Sequence, residues 1–204
     1  GTNLIAHISV DSTYVLANGA SVTELRYLSA SGLAMAAFFF EIDLTSPDIA
    51  LEVCTPQNKP IGGGFEPVTQ QAMHVDAEGH RVLGGTNADF GSETQKGPQG
   101  IFWKDGVAQK TVFNTTPARP RSFFAIRTDK RAVAAAAADY DEIAASKVIY
   151  EAVGGGPVLV DDGRSSRVPA SGSPRTGRRS GSWSWTAATS TTRTACRSSS
   201  WGSS

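Results

Sequence analysis

Cysteine, histidine and long apolar runs are all scarce in this chain of 204 residues. The two cysteines, Cys54 and Cys196, are far apart, and the second lies in a stretch of aberrant composition, so no disulfide is expected and cysteine usage does not settle the compartment. Cys54 has no evident base beside it, which argues against a thiol nucleophile, and no serine nucleophile stands out. The three histidines, His7, His74 and His80, do not fall at metal-ligand spacing. No metal and no cofactor is therefore expected. The longest apolar run, residues 33–40, is too short to cross a bilayer and runs at once into Glu41 and Asp43, so no transmembrane segment is expected. The chain starts at Gly1 rather than Met and shows no signal peptide, as a fragment or a processed chain would.

A second set of absences is local. From Ser165 to Ser204 there is no Asp, Glu, Leu, Ile, Phe or Tyr, and the last aliphatic side chain larger than Ala is Val168. All 19 acids precede this segment, whereas six of the 19 bases, all Arg, lie within it. The body, with thirteen bases against nineteen acids, carries −6 and the tail +6, so the zero net charge says nothing about a partner. Three of the four tryptophans also lie in the tail. Taken literally, residues 165–204 are a disordered basic Ser/Thr/Arg extension with no hydrophobic face to bury.

The body alternates like a sheet protein. Residues 22–28, 35–44 and 49–53 read as a meander of antiparallel strands separated by Gly32 and by Ser46-Pro47-Asp48. Residues 68–76 suit a short helix, and 81–85 a short buried strand. Residues 97–100 read as a turn. Residues 101–108 form a tight hairpin around Asp105-Gly106. Residues 122–127 and 131–138 flank Asp129-Lys130 as a second hairpin, with strand favoured over the helical propensity of the alanine run. Residues 143–153 carry a helical reading, and 158–160 a strand after Gly154-Gly155-Gly156-Pro157. The fold class is α+β, a mixed, mostly antiparallel sheet with few helices, in an incomplete domain.

The segment Val82-Leu83-Gly84-Gly85-Thr86-Asn87-Ala88-Asp89-Phe90 resembles the Asn-Gly-(Gly/Asp)-Phe-Phe motif of phosphodiester glycosidases. Pro98-Gln99-Gly100, the segment from Gly100 to Lys110, Arg121-Ser122-Phe123-Phe124-Ala125-Ile126, and Glu151-Ala152-Val153-Gly154-Gly155-Gly156-Pro157 are similar to later family segments, in order. The likeness covers residues 1–164, a partial domain. One departure is Gly91, where the family has a second Phe. The larger one is that the later Asp-Gly-Arg, Ser-x-Gly…Glu-Leu and Asp-Gly-Gly-Gly-Ser motifs do not occur.

A change of reading frame accounts for part of that gap. When the first two bases of each codon from Trp185 to Gly202 are each preceded by the free third base of the codon before, the segment can read Val-Asp-Gly-Arg-Asp-Val-Asp-Tyr-Ser-Asp-Gly-Leu-Ser-Leu-Val-Glu-Leu-Gly. Two bases in three are constrained. A one-base frameshift between Arg164 and about Ser173 is therefore expected, with the chain inactive as given.

The resemblance implies a hydrolase that splits a sugar-1-phosphodiester or related exopolysaccharide linkage in an extracytoplasmic setting, with a glycan or sugar phosphate as substrate. Such cleavage needs a proton donor for the leaving oxygen or a carboxylate facing the oxocarbenium-like centre. Asp89 takes that role and Glu151 is the second carboxylate. Asn87, Phe90, Arg121, Gly154, Gly155 and Gly156 are the substrate-binding candidates, Arg121 through guanidinium–phosphate pairing and the glycines through backbone N–H groups. Each has a plainer reading: Asn87 and Asp89 as a turn, Glu151 as a solvated helix end, Arg121 as a surface charge, the glycines as a flexible turn. The rival function is a non-catalytic carbohydrate or cell-envelope binding module with the tail as linker. Nucleic-acid binding by the tail is disfavoured by the acidic body, and no nucleic-acid partner is expected.

Overall fold

The computed structural model describes residues 4–59, 64–89, 91–92, 97–114 and 120–158, together with the backbone of Val160–Asp161, Arg164–Ser165 and Thr186–Thr191. The chain divides into two compact units, Gly1–Ala50 with Thr191–Ser204, and Leu51–Ser190.

The first unit is an antiparallel meander of β1 (Ile5–Ala17), β2 (Ala20–Ser29) and β3 (Ala34–Ile42), in the order β1-β2-β3. β1 is a strand that hydrophobic alternation does not reveal. Register shifts at Ile5/His7, Ile8/Val10 and Val15/Ala17 break its period of two. The signal that marks it is the two-residue Asn18-Gly19 connection to β2, with Gly19 at φ +88°.

The second unit carries the larger core. β4 (Ile49–Cys54), which begins in the first unit, and α1 (Val68–Val75) lead to β5 (Arg81–Asn87) and to two short paired strands, β6 (Gly91–Ser92) and β7 (Gly97–Pro98). β8 (Phe102–Lys104), β9 (Val107–Lys110), β10 (Ser122–Arg127), β11 (Ala132–Ala136) and β12 (Ile149–Gly155) form a five-stranded antiparallel sheet in the order β11-β10-β12-β8-β9. β12 arrives last and inserts between the two hairpins, so its side chains reach the centre of the sheet. Asp105 and Gly106 take φ values of 52° and 75°, the paired positive values that a two-residue hairpin turn demands.

Between β11 and β12 lies α2 (Tyr140–Ala145). The helical reading of residues 143–153 fails beyond Ala145. Lys147 turns into the left-handed region at φ 55°, and the β-branched and aromatic run Val148-Ile149-Tyr150 continues as β12. β5 is largely exposed rather than buried, and residues 97–98 are a short strand rather than a turn. The tail 165–204 is not wholly without regular structure: Thr186–Thr191 is a strand that lies between β4 and β5 in a third sheet, as threonine's β-branching allows. Its other residues from 166 onward, Cys196 included, lie outside the described residues.

The two faces of the five-stranded sheet are covered differently. On one face Phe123, Ala125, Ile149 and Ala152 pack with Ile101 and the α2 residue Tyr140. Phe123 and Tyr140 meet edge to face at 5.7 Å, and Trp103 Nε1–H donates to the Tyr140 hydroxyl at 3.0 Å. On the other face Phe102 and Val153 pack against Val53 of β4.

Candidate active site

Asp89 follows β5 by two residues and is 2% exposed. Its Oδ2 accepts the Gly100 N–H at 2.5 Å, and its Oδ1 lies 3.7 Å from Arg121 Nη1. Arg121, also buried, donates from Nη2 to Gln99 Oε1 and from Nε to the Asn114 carbonyl at 3.3 Å. Lys110 Nζ donates to the Pro98 carbonyl at 2.5 Å. Burial holds this amine below the usual lysine range. Asp89 draws its pKa back up, and the like charge of Arg121 lowers it further. One carboxylate and two cations thus share a largely buried site at the end of the α2 face.

Glycine makes this arrangement possible. A Cβ on Gly154 would stand 2.6 Å from the Gly100 Cα and 2.8 Å from Asp89 Oδ2; one on Gly100 would stand 2.7 Å from the Gly154 Cα. The backbones of β12 and of the segment before β8 therefore touch where Asp89 seats its carboxylate. The Gly154 N–H is engaged, donating to the Ile101 carbonyl at 2.9 Å, so it is not offered to a phosphate as the sequence reading had it. Gly155 faces Ser122, whose hydroxyl donates to the Gly156 carbonyl at 2.6 Å.

Glu151 is brought to a different place. In the β10–β12 register Gly154 sits opposite Phe123, whereas Glu151 sits opposite Ile126 and Val153 opposite Phe124. Asp89 and Glu151 consequently lie on opposite faces of the sheet. Nor is Glu151 the solvated residue of the plainer reading, for it is 2% exposed. Asn87, exposed at the end of β5, is two residues from Asp89. Phe90 lies outside the described residues.

Residues 80–195, more than half of the chain, match the family described as phosphodiester glycosidase. The chain belongs to the phosphodiester glycosidase family. No curated protein matches it. In this phosphodiester glycosidase domain, sequence analysis named Asp89 and Arg121 as candidates and did not single out Gly100, Gln99 and Lys110, which the fold sets around them. All three stand in segments quoted for the resemblance, Pro98-Gln99-Gly100 and Gly100 to Lys110, yet only the fold turns them toward Asp89. Among the described residues no group of three or more His, Cys, Asp or Glu side chains is arranged to hold a metal ion. No helix among them is long and apolar enough to cross a membrane.

Proposed function

We propose that this domain hydrolyses a sugar-1-phosphodiester or a related exopolysaccharide linkage outside the cytoplasm, and that the chain as given is inactive because its tail is read out of frame. The observation that carries the reading is the charge arrangement: a carboxylate beside Arg121 and near Lys110, on the segment where the family motif falls. Two cations suit a phosphodiester, which is anionic through the whole reaction, and guanidinium matches phosphate oxygens in pairs. Asp89, acceptor-only when ionised and braced by the Gly100 N–H, suits a role facing the positive charge that develops at the anomeric carbon. Exposed Asn87 would hold a sugar hydroxyl or phosphate oxygen at the rim. Glu151 is given no chemical step.

The test compares turnover of a sugar-1-phosphodiester by the chain as given, by the frame-restored chain, and by its Asp89→Ala variant. The expected pattern is no turnover, turnover, and loss of turnover. Robust activity of the chain as given would refute the frame reading. An inactive restored chain that still binds glycan, with binding indifferent to Asp89→Ala, would refute the hydrolase and favour the envelope-binding module.

A further inference from the structure

Glu151 is a buried acid with no part in the proposed chemistry, and its surroundings are specific. Oε2 accepts the Val53 N–H of β4 at 3.2 Å, and Oε1 accepts the Asp105 N–H of the β8–β9 turn at 3.0 Å. These contacts span 98 and 46 residues of sequence and join three separate segments at one carboxyl group. The neighbouring Lys104 completes the tie: its Nζ donates to the Val53 carbonyl at 2.8 Å, so the N–H and the C=O of Val53 are both held by side chains. Gly106 N–H donates to the Tyr150 carbonyl at 2.7 Å, fastening the turn to β12 at the next residue along.

Among the described residues the charged groups around Glu151 are Lys104 from β8, Asp105 from the turn and Glu52 from β4. Phe124 and Ile126 of β10 contribute only apolar surface. The void beside the carboxylate, lined by Val53, Phe124, Ile126 and Val153 among others, is about 10 Å³, too small for bulk water to solvate the charge.

Both of its backbone partners are donors. An ionised carboxylate, acceptor-only, satisfies both at once. A protonated carboxyl turns one oxygen into a donor, which then faces an N–H. We propose that Glu151 is a proton-operated latch: its carboxylate pins β4 and the β8–β9 turn to the central strand, and proton uptake at Oε2 releases the Val53 N–H. Oε2 is the oxygen that gives way because its bond is the longer of the two. The latch sits near its switching point at neutral pH. Burial raises the Glu151 pKa to about 7, against the pull of the Asp105 N–H and Lys104. The inference does not depend on the hydrolase reading.

Amide hydrogen exchange on the full chain, divided by intrinsic rates, tests it. Between about pH 8.5 and about pH 5.5, Val53 protection should fall about tenfold, as loss of one bond to a charged group implies, with Asp105 protection retained. The Glu151→Gln variant should show no such pH dependence. Unchanged protection at both amides, or the same loss in Glu151→Gln, overturns the latch; loss at Asp105 instead overturns the release of β4. Should the variant fail to fold, the wild-type side-chain carboxyl carbon decides. A midpoint near 7 shared with the Val53 amide proton shift supports the latch, and a midpoint near 4.5 overturns it.

Discussion

Replacing Gly154 by Ala probes the contact on which the Asp89 site rests. The new methyl would stand 2.6 Å from the Gly100 Cα, 2.8 Å from Asp89 Oδ2 and 3.1 Å from its Cγ. Carbon atoms pack best at about 3.5–4.0 Å, so one backbone must retreat by about 1 Å. Neither can do so freely, because Gly154 N–H is bonded to the Ile101 carbonyl and Gly100 N–H to Asp89. Overpacking of this kind costs about 1–3 kcal/mol, and here two hydrogen bonds lengthen with it, so about 3 kcal/mol is expected. Gly155→Ala is the control one residue away. Its methyl would meet Ser122 Oγ at 3.1 Å, a side-chain atom that can rotate at the loss of one bond to the Gly156 carbonyl. That costs about 1 kcal/mol, partly offset by the smaller entropy of the unfolded alanine chain. Urea unfolding followed by circular dichroism measures both. A Gly154→Ala loss under about 0.5 kcal/mol, or one no larger than that of Gly155→Ala, would refute the close approach and the argument built on it.

Glu151 should make the folded state more stable in acid relative to its Gln variant. Its folded pKa of about 7 lies above the ordinary 4.5, so the stability is full below 4.5 and lost as pH rises toward 7, by about 3 kcal/mol; a flat wild-type minus Glu151→Gln difference across that window would contradict it. Arg121→Met strands the Asp89 carboxylate and should cost about 3–5 kcal/mol, much of it recovered in the double variant with Asp89→Asn; additive costs in urea unfolding would show the pair is not coupled. His80 follows the same sign as Glu151, since its folded pKa is also raised. Partial burial pulls its pKa down, but hydrogen bonds to Glu52 and the Val75 carbonyl outweigh this and raise it. Its contribution is therefore full below the unfolded value of 6.5 and fades as pH rises through the folded one, so the melting-temperature gap to His80→Gln should narrow in alkali and a constant gap would count against it.

Local chemistry determined much of this protein from sequence alone. Asp105-Gly106 marks a hairpin because few residues tolerate positive φ, and that preference acts within four residues. The ordered motifs around Asn87, Pro98 and Glu151 carried the family and named Asp89 and Arg121 as candidates. Where signals conflicted, the reading slipped. Bulges hid β1, and the helix-forming residues of α2 masked the switch to β12 at Lys147.

The sites themselves were decided by tertiary structure. No pattern in the sequence says that Gly100 and Gly154 touch, since a glycine needed for a close approach looks like one needed for a turn. Nor does any pattern separate Asp89 from Glu151. Both are acids in family segments, yet Asp89 seats against Gly154 while Glu151 stands an odd number of residues earlier on β12, so they fall on opposite faces of the sheet. Side chains alternate along a strand with period two, and which face is which depends on partners tens of residues away.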